Sequence, residues 1–257
     1  MSVMDNLVDS HTHAYMLPKK DLELMGLAKI VDVVLCSFVP LAKHIETLID
    51  HFEELYSIHC KRLEEFGINA HIFVGIHPRC TPPEWKKLLP VIENYIESSK
   101  AVGIGEVGLD SMSKTEEEVL SEQLKIAREY DVPVIVHIPM VERIKAVEKV
   151  ISIAKSIEMD FGKLVIDHTS SDTIDYVNDS NAVPGLSVKP PLLDPAKIVE
   201  NIDKYCGGVL NSDCATLTDT DPLAVPKTVK YLEIKGIEKS IIEKLASLNT
   251  RKVFRIK

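Results

Sequence analysis

The sequence predicts a single domain over residues 1–257 with an α/β fold, the (β/α)8 TIM barrel, and three observations support this prediction. Short apolar runs rich in Val and Ile alternate about eight times with longer segments whose apolar residues recur at helical spacing. The short runs are apolar almost throughout, which is typical of parallel strands buried on both faces. The length of 257 residues is usual for such a barrel, and no linker or low-complexity tract divides the chain.

The predicted elements follow one another as strand and helix from the N-terminus onward. The second helix is expected to end at Gly67, the prolines at residues 82–83 fit a first helical turn, and Ser113 caps a helix with an acidic start. The predicted strands are residues 4–8, 31–36, 70–76, 101–106, 132–137, 163–168, 182–188 and 208–213. The predicted helices are residues 18–30, 45–66, 82–98, 115–130, a segment ending near 157, and residues 171–177, 195–205, 223–232 and 239–248.

The composition indicates a globular protein with reduced cysteines. The formal net charge of −9 argues against a general electrostatic grip on a nucleic-acid backbone, although bound metals can supply local positive charge. The five cysteines are odd in number and show no CxxC spacing, so we expect a cytoplasmic location. No basic leader with an apolar core is evident and no apolar run approaches the roughly 18 residues of a membrane span, so we expect no membrane contact.

Histidine, glutamate and aspartate, which are common metal ligands in proteins, stand at or just after the ends of most of the predicted strands. His11 and His13 are one residue apart, so a strand that ends there presents both imidazoles on one side. Taken singly, these residues have ordinary explanations: a buried histidine can bind a backbone carbonyl, Glu106 can pair with a lysine, and Asp213 can cap a turn. The full set is His11, His13, His77, Glu106, His137, His168 and Asp213.

Taken together, these strand-end residues predict one metal site. The reactive groups of (β/α)8 barrels lie at the C-terminal ends of the strands, so the side chains are expected to meet there. Imidazoles suit borderline metals, and a carboxylate can bridge two cations. No comparable lysine ends a strand, so a bridge made by a carbamylated lysine is not expected.

These stretches resemble the TatD family of metal-dependent hydrolases, within the amidohydrolase-like barrel superfamily. The most specific part is the run GEVGLD at residues 105–110, and the resemblance extends in order along nearly the whole chain. The other matching stretches are residues 9–13, 75–78, 132–137, 167–169 and 212–213, with Asn249, Thr250 and Phe254 in a closing helix.

The resemblance implies two divalent metal ions per chain (Zn, Mn or Mg) and hydrolysis by a water that they activate. Glu106 would bridge the two ions, Asp213 would be the general base, and His77 would face the substrate. Asp9 and Asp110 would support the ligands from behind. One ion would be held by His11, His13, Glu106 and Asp213, and the other by Glu106, His137 and His168.

The substrate implied by the resemblance is a phosphate ester, in the form of DNA shortened from its 3′ end. We expect the partner to be a small anionic substrate or a single-stranded DNA end without a stable nucleic-acid complex, and Arg79 and Lys189 could reach its anionic group. Three stretches depart from the family. Residues 111–113 lack a common aromatic side chain, residues 211–213 replace Glu-Thr-Asp, and residues 188–191 are not typical. The departures bear on the substrate rather than on the metals.

Two other functions stay open at this point. One is hydrolysis of an amide, lactone or cyclic imide, and the other is a barrel that binds metal or a partner without turnover. A polymerase-and-histidinol-phosphatase barrel also begins with His-x-His, but it would be expected to close with Asp-x-His, whereas here Ala215 stands two residues after Asp213.

The remaining histidines and two cysteines are predicted to be structural. His44, His51 and His59 are expected on the outer face of one long helix, and His71 at the opposite end of the barrel. Cys36 and Cys214 are expected to be small buried filler, because no relay would activate either thiol.

Overall fold

Eight parallel strands form a nearly closed barrel in the computed structural model, which describes residues 6–217 and 220–257. The strands pair in chain order, and β1 meets β8 through hydrogen bonds from Asp213 N to His11 O and from His13 N to Cys214 O, both 3.0 Å. The (β/α)8 prediction is therefore confirmed. The strands are β1 (Leu7–Thr12), β2 (Ile30–Cys36), β3 (Asn69–Val74), β4 (Gly103–Gly108), β5 (Val134–His137), β6 (Leu164–Ile166), β7 (Val183–Ser187) and β8 (Val209–Asn211).

Helices cover the outside of the barrel between the strands. They are α1 (Lys19–Leu27), α2 (Ile45–Glu54), α3 (Cys60–Glu64), α4 (Leu89–Glu97), α5 (Lys114–Glu129), α6 (Arg143–Ser156), α7 (Ile174–Asp179), α8 (Pro195–Glu200), α9 (Ile202–Tyr205), α10 (Ala224–Ile234), α11 (Lys239–Glu243) and α12 (Asn249–Phe254). Across residues 6–217 and 220–257, none combines the length and apolar character needed to cross a bilayer.

The predicted helix boundaries differ from the observed ones where the backbone is irregular. The predicted helix 45–66 contains a π-helical segment, Leu55–His59, between α2 and α3. The prolines at residues 82–83 precede a 3-10 turn, Trp85–Leu88, and the α-helix begins only at Leu89. The caps were predicted correctly: Ser113 Oγ accepts a hydrogen bond from Glu116 N, and Gly67 adopts a positive φ of 72°.

The N-terminal end of the barrel is closed by helix α12. Phe254 packs against Phe73 inside the barrel with the ring centroids 5.0 Å apart. The Phe73 ring also explains why β4 begins with glycine, because a Cβ at Gly103 would lie 2.3 Å from that ring. Arg251 of the same helix binds the Asp32 carboxylate, which also accepts a hydrogen bond from His71 Nε2 at 2.8 Å. Helix α12 is thus tied to strands β2 and β3.

The ion pair beneath the barrel predicts a pH-dependent contribution to stability. Burial alone would raise the pKa of Asp32, but hydrogen bonds from His71 and Arg251 hold it below its ordinary value. A carboxylate whose pKa is lower in the folded state stabilises the fold above its unfolded pKa of about 3.9, and this contribution is lost as the pH falls through the folded value. We expect Arg251→Met to lower the free energy of unfolding by about 2 kcal/mol at pH 7.

Urea denaturation of parent and variant between pH 7 and pH 3 tests this. The difference in free energy of unfolding between parent and variant should shrink once the pH falls below about 4, where Asp32 of the unfolded chain becomes protonated. Arg255→Met is a suitable control, because Arg255 pairs with Asp131 at an exposed position and its loss should have little effect. A difference that stays constant down to pH 3 would contradict the assignment to Asp32.

Candidate metal centre

The strand-end residues predicted from the sequence meet at the C-terminal end of the barrel. Strands β1, β4 and β5 carry His11, Glu106 and His137, and the loops after β1, β3, β6 and β8 carry the others. His168 and Asp213 have positive φ angles of 57° and 42°, a strained conformation that is often found at functional sites. All seven side chains are buried: His11, His13, His77, Glu106, His137, His168 and Asp213.

Glu106 lies at the centre of this cluster, and its two oxygens face different histidines. Oε2 lies 3.5 Å from Nε2 of His11 and of His13, and 3.6 Å from Nε2 of His77. Oε1 lies 3.0 Å from Nδ1 of His137 and 3.5 Å from Nε2 of His168. A carboxylate between two sets of imidazoles has the position that a bridging ligand needs.

Within residues 6–217 and 220–257, possible ligand atoms come close enough together for metal binding in three groups. The first group, His11, His13 and Asp213, belongs to one predicted ligand set, and Asp213 Oδ1 lies 3.3 Å from His13 Nε2. The second group is His77, Glu106 and His137, and it includes the histidine predicted to face the substrate. The third group is His11, Glu106 and Asp167, in which Asp167 was not predicted as a ligand. His168 is in none of these groups, although it lies beside Glu106 and His137.

The hydrogen bonds behind the histidines determine which nitrogen faces the cluster. Nδ1 of His11 donates to Asp167, Nδ1 of His13 to the carbonyl of Cys36 (3.0 Å), and Nδ1 of His168 to Ser187 Oγ (2.8 Å). Each of these bonds leaves Nε2, which faces Glu106, as the nitrogen available to a metal. His11 Nε2 is buried without a hydrogen-bond partner among the described residues, and His137 Nε2 is buried with Asp110 Oδ1 3.5 Å away. This donor set of imidazoles and carboxylates therefore fits divalent metal ions.

His77 has the opposite arrangement. Its Nδ1 accepts a hydrogen bond from the backbone N–H of Arg79 at 3.1 Å, so the neutral ring carries its proton on Nε2. Burial holds the pKa of His77 well below its usual range, and the neighbouring His137 adds to this. A neutral ring with Nε2–H directed at the cluster donates a hydrogen bond.

The carboxylates of the cluster are ionised at neutral pH. Burial alone would raise the pKa of Glu106, but the imidazoles of His11 and His13, whose Nε2 atoms lie 3.5 Å from its Oε2, hold it well below its usual value. The pKa of Asp213 is likewise lowered, because a hydrogen bond from His13 and nearby positive charges outweigh burial. Burial would lower the pKa of His137, but hydrogen bonds to Asp110 and Glu106 raise it to about 9. Glu106 and Asp213 thus carry negative charge where cations would bind.

Asp167 is the functional residue that the sequence analysis missed. It is fully buried, and its Oδ1 accepts hydrogen bonds from Asn211 Nδ2 at 2.8 Å and from Ser187 Oγ at 3.1 Å. Its Oδ2 contacts His11. The sequence feature that could have indicated this role is the position of Asp167 at the end of a predicted strand, directly before His168. Asn211, one of the departures from the family pattern, thus holds this carboxylate.

The other supporting groups come from strand β1 and from the turn that follows it. Asp9 accepts hydrogen bonds from Ser212 N (2.9 Å) and Ser212 Oγ (2.6 Å), as expected of a residue that fixes the backbone. The Tyr15 hydroxyl lies 3.0 Å from His13 Nδ1 and donates to the carbonyl of Phe38 at 2.7 Å. Tyr15 was not predicted, and it holds His13 from behind.

The prediction that His51 faces outward is wrong. His51 is buried and its Nε2 accepts a hydrogen bond from Phe38 N at 3.3 Å. It lies three residues after Leu48 and next to Phe52, on the face of α2 that packs against the barrel. His44 is exposed at the start of α2, and His71 lies beneath the barrel, as predicted.

The two cysteines behave as structural residues. Both are buried and unpaired. Burial raises the pKa of Cys36 to about 11 and that of Cys214 to about 12, so both thiols stay protonated at neutral pH. Neither is a nucleophile in this arrangement.

A cavity of about 400 Å³ leads from the surface to the cluster, and its lining includes Arg79 and Lys189. Both cations contact carboxylates: Arg79 Nε donates to Asp110 at 2.9 Å, and Lys189 binds Asp213. Asp110 also lies 3.5 Å from His137 Nε2, behind the cluster. The apolar lining is Phe38, Met140, Pro190, Pro191, Leu192, Ala215 and Leu217.

Comparison with known proteins identifies the family. The model of the family described as TatD related DNase matches residues 8–255. The chain belongs to the TatD family. A TatD-like protein from Archaeoglobus fulgidus has 32% sequence identity, covers 97% of this chain and all of its own, and superposes with a TM-score of 0.83.

A further relative and a solved structure of the same fold extend the comparison of this TatD-family protein. An uncharacterized metal-dependent hydrolase of Methanocaldococcus jannaschii is 29% identical over 255 residues, which are 97% of this chain and all of the relative. The phosphotriesterase homology protein of Escherichia coli superposes with a TM-score of 0.74 at 14% identity, over 98% of this chain and 99% of its own, which shows the fold alone. The TatD-family protein is accordingly a metal-dependent hydrolase, with His, Asp and Glu groups suited to metal.

Proposed function

We propose that this TatD-family hydrolase cleaves phosphate ester bonds and slowly shortens single-stranded DNA from its 3′ end. The observation that carries the proposal is the position of Glu106, whose two oxygens face separate sets of imidazoles. Residues arranged in this way would hold two divalent metals, and such a centre would stabilise the charge that develops in the in-line displacement of a phosphodiester. The family description as DNases supports the same substrate class.

The residues that would hold the metals are those that the resemblance to the TatD family implies. One ion would be held by His11, His13, Glu106 and Asp213, and the other by Glu106, His137 and His168. When bound, divalent metals lower the pKa of water and offset negative charge on the phosphate. Asp167 and Ser187 would keep the imidazoles of His11 and His168 oriented.

The side chains of this protein then handle the proton and the substrate. Asp213 is ionised and accepts a proton from the attacking water, whose oxygen forms the new bond to phosphorus. The bond from phosphorus to the leaving oxygen breaks and its electron pair stays on that oxygen, which then receives from solvent a proton that replaces the one released by Asp213. His77 donates its Nε2–H to a phosphate oxygen and positions the ester.

The charges and the cavity favour a strand end over the interior of a duplex. The net charge is −9, and the cationic side chains that line the described cavity are Arg79 and Lys189. A cavity of about 400 Å³ has room for a small group rather than for a duplex. Few phosphates would be neutralised outside the centre, so cleavage should depend only weakly on salt.

Labelled oligonucleotides test the proposal. Metal-loaded protein should shorten a 5′-labelled single strand one nucleotide at a time, shorten a blunt duplex more slowly, and lose both activities in Asp213→Asn. The 3′-labelled strand should lose its label at the first step. If neither strand is shortened while a panel of lactones and amides shows turnover that depends on Asp213, the phosphate ester proposal is wrong and an amidohydrolase activity replaces it.

A further inference from the structure

Lys189 lies at a fixed position beside the centre. It lies two residues after the end of strand β7, where Val188 N donates to Asn211 O at 2.9 Å and Lys189 N donates to Ser187 O at 3.0 Å. The carbonyl of Lys189 accepts a hydrogen bond from Leu192 N at 2.8 Å. The residue directly before Lys189 is therefore bound to β8, the strand whose end carries Asp213.

The ammonium group of Lys189 contacts Asp213 from inside the cavity. Nζ binds Oδ2 of Asp213, and the side chains of the pair are only 16% and 8% exposed. The other cation of the cavity differs, because Arg79 binds Asp110 at a position where its side chain is 48% exposed. Of the lysine and arginine side chains in the described lining of the cavity, Lys189 is therefore the one that contacts a candidate metal ligand.

The carboxylate of Asp213 therefore faces both a candidate metal position and the ammonium of Lys189. Oδ1 of Asp213 lies 3.3 Å from His13 Nε2 and 3.8 Å from His11 Nε2, the nitrogens that would share a metal with it. Oδ2 belongs to the same carboxyl group and holds the ammonium. A divalent ion on Oδ1 would lie within a few ångströms of this ammonium, and two cations repel strongly in a buried site from which water is excluded.

We propose that Lys189 is a counter-cation of Asp213 that competes with the metal for this carboxylate, and that an anionic oxygen ligand in the cavity relieves the competition by binding the ammonium. Metal and anion would then strengthen each other's binding through Lys189, because coupling between two ligands is reciprocal. This coupling rests on the metal-dependent function proposed above. It adds that the anionic group of the substrate, when it binds Lys189, strengthens the binding of metal at Asp213.

Zinc affinity with and without phosphate tests this coupling. Zinc would be titrated against a chromophoric chelator at fixed pH, in the absence and presence of inorganic phosphate. Without phosphate, Lys189→Met should bind zinc about tenfold more tightly than the parent, because the competing ammonium is gone. Phosphate should raise the zinc affinity of the parent about tenfold and that of Lys189→Met clearly less.

Two variants serve as controls. Lys163→Met removes a lysine that is equally buried, 15% exposed, and is paired with Asp131 far from the cavity, so it should match the parent. Lys189→Arg keeps the positive charge and should also stay close to the parent, which separates charge from any loss of packing.

The same titration contains the results that would overturn the proposal. Zinc binding by Lys189→Met that equals or falls below that of the parent without phosphate, or an equal phosphate effect in both proteins, contradicts it. A parent that binds no zinc would overturn it together with the metal centre. Because no hydrolysis is measured, a failure of the oligonucleotide experiment would reject the phosphate ester substrate and leave this coupling standing.

Discussion

Glu106→Ala is expected to leave a folded barrel that binds about one metal ion per chain or none, against about two in the parent, and to abolish hydrolysis. Glu106 is the carboxylate whose two oxygens reach both sets of histidines, so its loss weakens both ligand sets at once. The substitution also removes the negative charge that faces the buried imidazoles. Elemental analysis of purified protein measures the metal, and the oligonucleotide assay measures the activity.

His77→Ala provides the matched comparison for this variant. His77 lies as deep in the site as Glu106 but carries its proton on the nitrogen that faces the cluster. Its loss should therefore reduce turnover while the metal content stays near that of the parent. Full metal occupancy in Glu106→Ala would reject the bridging role, and loss of metal from His77→Ala would make His77 a ligand.

Asp213→Asn is expected to reduce the turnover number by about a hundred- to ten-thousand-fold, the range that general base catalysis contributes. The amide keeps an oxygen near His13 but cannot accept the proton of the attacking water. Metal content measured at saturating zinc should fall less than in Glu106→Ala, because Glu106 still joins the histidines.

Asp172→Asn is the control for loss of an acidic group near this end of the barrel. Asp172 pairs with Arg143 at the surface, and the Asp172 side chain is 45% exposed. Its replacement by Asn should therefore leave the turnover number unchanged. If Asp213→Asn keeps more than about a tenth of the parent's turnover number at full metal occupancy, another group is the base.

The barrel could be predicted from the sequence because its signal is local and repeated. Each strand is a short apolar run and each helix has its own periodicity, so an error in one element leaves the others intact. The boundaries were less certain where the backbone changes within an element. The π-helical segment Leu55–His59 leaves the apolar spacing of its helix almost unchanged, so the sequence predicts one helix where the structure has two.

The candidate site was predictable as far as it depends on strand ends. His11 and Glu106 could be placed in one cluster because a parallel barrel gathers its strand ends. Asp167 could not be assigned a partner, because its contact with His11 spans 156 residues of sequence and depends on the rotation of both side chains. The same holds for Lys189 and Asp213, which meet only because β7 and β8 are neighbours.

The helix that closes the barrel from below has a consequence for how the protein is made. Phe254 fills the interior beside Phe73, and Arg251 reaches back to Asp32 across 219 residues. A ribosome that adds 5 to 20 residues per second needs roughly 10 to 50 seconds to proceed from β1 to this helix. Until then the nascent chain has an unsealed interior and an unpaired strand edge, surfaces that chaperones bind and that promote aggregation. The yield of folded protein should therefore depend on events at the ribosome as much as on the stability of the finished barrel.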